Sequence, residues 1–264
     1  MNELMQAIWR YRYFIYSSIK NEFRMRFVRS KLGALWMIIH PLSQVLIFAL
    51  ILSEVIGAKL PGIDNKNAYA LYLMAGTLGW NLFSETIGRS LNLFIDSGNL
   101  MKKMAFPRIC LPVVAGGVVL VNNVLLLAAI LAVFAAMGHY PGSEALWLPL
   151  LMGLTILMAM GAGLLLGVLT VFMRDIGQVV PVVLQALFWL TPIVYTVSIL
   201  PQAYQRWFKF NPLYPLITSY QNVLVLGKPP EWHGLGWLLL ATVILLGASL
   251  LVFRRASPEM VDVL

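Results

Sequence analysis

"LPVVAGGVVLVNNVLLLAAILAVFAAM", residues 111–137, is an apolar run without a single charged side chain. A helix needs about 20 mostly apolar residues to cross the hydrocarbon core of a bilayer, and this run exceeds that length. The whole chain of 264 residues has the same character, with 60% hydrophobic and 11% charged residues. Soluble chains carry about 25% charged residues. The sequence therefore predicts an integral membrane protein.

Six stretches are apolar enough to cross the membrane. They predict an all-α fold with one transmembrane domain over residues 1–264 and spans at about 34–56, 69–90, 111–137, 146–172, 177–197 and 235–253. The fifth stretch holds Pro181 and Pro192, and we expect it to be kinked there.

The distribution of Lys and Arg indicates which ends of the spans face the cytoplasm. With the N terminus inside, most of the 19 cationic residues fall on the inner side, and the outer side has Lys59, Lys66, Arg206, Lys209 and Lys228. Cytoplasmic loops carry the excess of such residues. We therefore expect both termini and the loop between spans two and three in the cytoplasm. This bias accounts for the net charge of +8, and we expect no binding of nucleic acid.

Residues 1–33 have the pattern of an amphipathic helix at the membrane surface. Aromatic side chains recur at three- and four-residue steps and share one stripe: Trp9, Tyr13, Tyr16, Phe23 and Phe27. The arginines lie mostly off that stripe. This arrangement is typical of the bilayer interface, where rings lie among headgroups and cations face lipid phosphate. Packing on a soluble partner is the alternative.

Residues 198–234 lie on the outer side and are too long for a simple hairpin. A break at Asn211 and Pro212 predicts two short helices, and residues 213–226 are apolar but too short to cross the bilayer. A re-entrant pair and a loop resting on the membrane surface both fit this pattern.

Residues that could carry catalysis are sparse. His40, His139 and His233 are scattered without metal-ligand spacing, and the chain has one cysteine, Cys110. The stretch LVLGK (224–228) lacks the first Gly and the Ser/Thr of a phosphate-binding loop. We therefore expect no metal, no cofactor and no ATP hydrolysis in this chain.

Glu85 and Arg89 lie four residues apart near the cytoplasmic end of the second span. Residues at this spacing share one face of a helix. We expect an ion pair, either within the chain or with a neighbouring subunit, rather than a proton relay.

The loop before the third span, MKKMAFPRICLP (101–112), combines cations, prolines and apolar side chains. Pro107 and Pro112 would end a short helix and restart the next span. We expect Met101, Met104 and Phe106 to be exposed and to offer an adaptable surface to a soluble partner. A loop that only sets the topology is the alternative.

Five stretches, in their order and spacing, resemble the membrane subunit of type-2 ABC exporters, in the branch that exports O-antigen, capsule or teichoic acid. They are residues 11–42, LMAGTLGWNLFSETI (73–87), 99–112, 172–195 and FNPLYPL (210–216). The resemblance implies a homodimer in the bacterial inner membrane that works with two copies of an ATP-binding subunit. ATP and Mg would bind to that subunit, and a lipid-linked polysaccharide would be exported.

The resemblance also implies roles for particular residues. Those expected to dock a coupling helix on the ATP-binding subunit are Lys102, Lys103, Phe106, Pro107 and Arg108. Those expected near the lipid pyrophosphate are Arg24, Arg26, Arg29 and Lys31. Aromatic rings suit a sliding glycan, and the candidates, chiefly Tyr72 and Tyr195, are Tyr69, Tyr72, Trp80, Phe83, Phe188, Trp189 and Tyr195. An ordinary aromatic belt with core packing is the alternative for these rings.

Three other functions are compatible with the sequence. One is an ABC exporter of drugs or lipids, the second is an integral membrane glycan-processing enzyme, and the third is a scaffold or passive channel. The enzyme would need a cluster of polar groups in a large outer loop, whereas residues 198–234 offer Arg206, Lys209, Lys228, Glu231 and His233.

Overall fold

The computed structural model describes residues 2–29, 35–49, 66–103, 106–197, 201, 205, 208 and 210–263. Its α-helices are α1 (Asn2–Arg10), α2 (Arg12–Arg29), α3 (Trp36–Ala49), α4 (Lys66–Asp96), α5 (Gly98–Lys103), α6 (Cys110–Ala136), α7 (Leu148–Phe172), α8 (Ile176–Leu190), α9 (Leu213–Gln221) and α10 (Trp232–Val263). A 3₁₀ helix (Ser143–Trp147) precedes α7, and a π-helix (Asn222–Leu226) continues α9. These ranges contain no strand, which confirms the all-α prediction.

Within the described ranges, three helices are long and apolar enough to cross a membrane: Cys110–Ala136, Ser143–Phe172 and Trp232–Met260. They match the third, fourth and sixth predicted spans. The 31-residue helix α4 contains the second predicted span and extends past both its ends. Helix α3 covers part of the first, whose remaining residues from 50 onward lie outside the described ranges. Six crossings of the membrane stay a prediction.

The helix of the fifth predicted span, 177–197, is shorter than expected. Helix α8 ends at Leu190, and Thr191 has an extended backbone with φ −106° and ψ 136°. A proline ring pushes the preceding residue out of the helical region, and Pro192 follows Thr191. Pro181, in contrast, lies inside α8. The prediction of a helix continuing to residue 197 was therefore wrong.

Helix α4 lies at the centre of the bundle and packs against α3, α6, α7, α8 and α9. Its side chains Leu73, Leu78 and Leu82 are fully buried in the main core. In its C-terminal half the backbone of α4 runs very close to α7, since a β-carbon at Gly167 would collide with the Ser90 carbonyl oxygen. Small residues permit such an approach between helices in a membrane.

Helix α9 packs within the bundle, between α4 and α7. Its side chains Leu216, Ile217 and Tyr220 are fully buried. The Tyr220 hydroxyl is 3.0 Å from the Thr155 hydroxyl of α7, and its ring occupies the space beside Gly79 of α4. Residues 213–224 are therefore part of the packed core, and most of residues 198–209 lie outside the described ranges.

Replacing Gly167 by alanine is expected to separate α4 from α7, because the added methyl group would overlap the Ser90 backbone. Overpacking of this kind costs about 1–3 kcal/mol of stability. We expect a lower melting temperature in detergent and less folded protein in the membrane. Gly153→Ala is the matched control on the same helix, since nothing lies within 4 Å of a β-carbon there. Equal stability of the two variants would contradict the close packing.

Candidate coupling segment and translocation groove

The segment between α4 and α6 contains a short helix and, directly before α6, a turn. Helix α5 spans Gly98–Lys103, and a turn at Arg108 and Ile109 leads into α6. The Pro107 carbonyl accepts a hydrogen bond from the Cys110 backbone N–H at 2.9 Å. Pro107 has no N–H to donate, and the turn that follows it leads into the next helix at Cys110. We call residues 98–109 the coupling segment.

The coupling segment contacts α2 and α10, which are helices near the two ends of the chain. The Phe106 ring lies 5.5 Å from the Phe14 ring of α2, measured between centroids. Arg108 Nη1 donates to the Ser257 carbonyl oxygen of α10 and lies 2.9 Å from Ser257 Oγ. Neither contact follows from the local sequence, because each joins the segment to a distant helix.

The exposure expected for the apolar side chains of this segment was wrong for Met101. Its side chain is 8% exposed and joins a cluster with Phe94, Phe253 and Met260. Burial of an unbranched thioether among aromatic rings is favourable, since it fills irregular gaps. Phe106 is half-buried, whereas Lys102 is exposed. The side chain of Lys103 and all of Met104 lie outside the described part of the structure.

The N-terminal helices present an aromatic surface away from the bundle. Trp9 and Tyr13 are 71% and 74% exposed, and Tyr16 is exposed as well. The Arg12 guanidinium lies 4.9 Å from the Trp9 ring centroid and 4.8 Å from that of Tyr13. The opposite face packs on the protein, where Ile15 is buried and α2 contacts α6. An outward stripe of rings and cations fits an interfacial helix.

The cations expected near a lipid pyrophosphate lie at or beyond the end of α2. Arg24 is exposed on that helix. The side chains of Arg26 and Arg29, the side chain of Phe27 from the aromatic stripe, and the whole of Lys31 lie outside the described part of the structure. Phe23 is half-buried and so departs from the exposed stripe.

A polar network joins α2, α4 and α6. Arg89 Nε donates to Glu85 Oε1 at 3.1 Å, and Arg89 Nη1 lies 2.6 Å from Glu22 Oε1. Asn122 of α6 also donates to Glu85 Oε1, at 2.6 Å. The i, i+4 spacing pointed to Glu85 and Arg89, but it gave no sign of Glu22 or Asn122. One signal was available, because Glu22 is an isolated acid within the strongly basic second helix.

Three of the rings expected along the glycan path meet on one side of α4. The centroids of Trp80 and Phe188 are 5.4 Å apart, and those of Phe188 and Trp189 are 5.5 Å apart. They line a cavity of about 270 Å³, whose wall also contains Gln44, Ser84 and Gln185. We call this set the aromatic groove. Apolar ring faces beside amide and hydroxyl groups suit a sugar, which presents both C–H faces and hydroxyl edges.

Three of the other four expected rings, Tyr69, Tyr72 and Tyr195, lie nearer the turn after α8. Tyr69 and Tyr72 are each 5% exposed. The Tyr69 hydroxyl donates to the Val194 carbonyl at 2.5 Å, and the Tyr72 hydroxyl is 3.5 Å from the Tyr195 carbonyl. Tyr195 donates to the Trp189 carbonyl at 2.7 Å. These tyrosines thus hold the turn after α8 against α4, next to the aromatic groove. Phe83 packs beside Trp80 at a centroid distance of 6.0 Å.

The described residues contain no group of three or more His, Cys, Asp or Glu that could hold a metal ion. His139 instead contacts the Leu224 carbonyl at 2.8 Å and packs edge-on against the Phe134 ring.

Comparison with known proteins identifies a matching family and several similar proteins. The ABC-2 type transporter family matches residues 13–225. The O-antigen export system permease protein RfbA of Myxococcus xanthus is 26% identical over 99% of both chains. A protein of the same name from Klebsiella pneumoniae is 24% identical over 92% of both chains. The polysialic acid transport protein KpsM of Escherichia coli is 24% identical over 90% of this chain and 92% of its own.

Replacing Arg89 by methionine is expected to release α2 from α4, because Glu22 and Glu85 lose their shared guanidinium. We expect a loss of about 1–2 kcal/mol, since these side chains are about one-third exposed and solvent screens them. Limited proteolysis should then cut within α2 more quickly. Arg89→Lys should show a smaller effect, because an ammonium keeps the charge without the planar fork.

The control for that experiment is Arg174→Met, which removes an exposed arginine from the turn between α7 and α8. If Arg89→Met and Arg174→Met are cleaved at the same rate in α2, the network does not hold the N-terminal helix.

Proposed function

The chain belongs to the ABC-2 type transporter family, and on that premise we propose that it is the membrane subunit of an ATP-driven polysaccharide exporter. The substrate is a lipid-linked polysaccharide of the O-antigen kind, moved from the cytoplasmic side outward across the inner membrane. The observation that carries this proposal is the similarity, along nearly the whole chain, to permeases named for O-antigen export. The aromatic groove supports the same substrate class.

ATP hydrolysis belongs, in this proposal, to a separate ATP-binding subunit present in two copies, which also binds Mg. The coupling segment is the docking element, and Lys102, Lys103, Phe106 and Pro107 are its proposed contact residues. The exposed side chain of Lys102 supports this placement. Both termini are cytoplasmic, so that α1 and α2 lie along the inner membrane surface beside the docked subunit.

The lipid end of the substrate is assigned to the interfacial helix. Four cations lie close together in the sequence, just before the first predicted span, and would attract a pyrophosphate. They are Arg24, Arg26, Arg29 and Lys31. The exposed rings of Trp9 and Tyr13 hold the helix at headgroup depth. The same cations and rings would therefore contact both the lipid headgroups and the lipid end of the substrate.

The glycan path is assigned to the aromatic groove and its completion to a second copy of the chain. Gln185 is exposed on α8, among exposed apolar side chains such as Val182 and Val183. An amide facing lipid without hydrogen-bond partners costs several kcal/mol. A homodimer that places α8 at its interface would cover this side chain with protein and substrate.

Two other functions are less well supported. The full-length relatives named above are polysaccharide permeases, which disfavours an exporter of drugs or unmodified lipids. A glycan-processing enzyme would need convergent polar groups in the outer segment, and among its described residues Glu231 and His233 are both exposed.

Reversing both charges with Lys102→Glu and Lys103→Glu is expected to weaken recovery of the ATP-binding subunit, because exposed charges act through complementarity. The measurement is gentle extraction from the native membrane followed by mass spectrometry. The parent chain should recover a partner with a phosphate-binding loop. Lys228→Glu, an exposed change on the predicted outer side, is the control. Recovery of no such partner with the parent chain would contradict ATP-driven export.

Trp189→Ala is expected to lower the amount of surface polysaccharide while the protein stays at its normal level. The ring is half-exposed and lines the aromatic groove, so its loss removes a sugar contact without opening the core. A stacked ring contributes about 0.5–1.5 kcal/mol beyond its buried area. Trp237→Ala removes an exposed ring from α10 and should leave export unchanged. Equal export by the two variants would remove the groove from the path.

A further inference from the structure

The cytoplasmic end of α10 is joined to the coupling segment. Arg108 reaches across to Ser257 and contacts both its carbonyl oxygen and its hydroxyl. Around this contact Phe253 and Met260 of α10 are buried in one cluster with Met101 and Ile109 of the segment. A charge-assisted hydrogen bond over a packed apolar cluster makes this joint firm.

The outer end of the same helix is joined to α9 and its surroundings. The Glu231 backbone N–H donates to Ser219 Oγ at 3.0 Å, and the Trp232 and Trp147 rings pack at a centroid distance of 4.7 Å. A β-carbon at Gly234 would collide with the Pro215 ring, so α10 and α9 touch there by backbone and ring. The outer joint thus has both polar and apolar contacts.

Between these joints α10 is one unbroken helix. Its 32 residues span about 48 Å at 1.5 Å per residue, which exceeds the roughly 30 Å of the hydrocarbon core. Its most apolar stretch is only 22% buried, and its main neighbour is α7. At Gly161 of α7 the two helices lie close together. A long helix that has one main neighbour, and most of whose apolar stretch is unburied within this chain, can shift as a rigid body.

We propose that α10 carries displacements of the coupling segment to the outer helix α9, with Arg108 as the positioning residue that joins the two. This inference rests on the proposed function, because it assumes that an ATP-binding subunit moves the segment. The resemblance implied a docking role for Arg108, whereas in this inference its guanidinium acts within the chain rather than on the partner. Ser257 is its acceptor.

The test follows the outer segment with a single cysteine. Lys228→Cys is placed in a chain with Cys110→Ala, because Lys228 is exposed just after the π-helix and Cys110 is buried. Spheroplasts with and without ATP depletion are treated with a membrane-impermeant maleimide. The labelling rate of Cys at 228 in the parent should change severalfold with ATP.

Arg108→Gln in this background should abolish the effect of ATP on labelling and lower surface polysaccharide about tenfold, as expected for loss of a charge-assisted hydrogen bond. Protein level and recovery of the ATP-binding subunit should stay normal. Ser257→Ala keeps the carbonyl acceptor and should show a smaller loss. Arg255→Gln removes an exposed arginine of α10, two residues before Ser257, and should behave as the parent.

Each other result overturns the inference. ATP-dependent labelling that persists in Arg108→Gln would show that α10 does not carry the movement. Loss of the ATP-binding subunit from that variant would make Arg108 a docking residue. A parent chain that recovers no such subunit and shows no response to ATP would remove the proposed function itself. Should Arg108→Gln fail to accumulate, Arg108→Lys decides the matter, with partial loss of the ATP response expected.

Discussion

A bilayer offers no water to a polar group, and this constraint accounts for many of the polar contacts in the chain. The hydroxyls of Thr86, Thr155 and Thr170 each donate to the carbonyl four residues earlier, at 2.6 to 2.7 Å. Asn123 donates to the Leu78 carbonyl of α4 at 3.0 Å. Polar side chains therefore serve as links within and between helices, and an exposed amide such as Gln185 marks a surface that the single chain leaves uncovered.

The same constraint makes the contacts of α4 specific. Apolar helices have little hydrophobic preference for one another in lipid, so close packing and interhelical hydrogen bonds select the partners. Helix α4 meets α7 by backbone at Gly167, α6 through Asn122, and α2 through Arg89. The aromatic groove and the turn after α8 lie along the same helix. A movement of α4 would therefore reach the N-terminal helix α2 and the proposed glycan path together.

Periodicity and composition predicted the parts of the fold that depend on neighbouring residues. The stripe of Trp9, Tyr13 and Tyr16 is exposed as an interfacial helix requires, and the long apolar helices lie where the runs predicted them. Met101 was placed on the surface because its loop is basic, yet the ends of four helices enclose it. The end of α8 was misplaced, because a kink was expected at Pro192 with the span continuing past it, whereas the helix ends at Leu190.

The amino-acid sequence by itself determined that this is a membrane protein of apolar helices with a basic, proline-containing segment between two of them. Those properties follow from local composition. The length of an apolar run decides whether its helix can cross a bilayer, and proline interrupts a helix. Only the tertiary structure decided that Arg89 meets Glu22, 67 residues away, and that Arg108 meets Ser257, 149 residues away. Helix packing sets these pairs, because it places side chains by the approach of distant backbones and no local pattern records that approach.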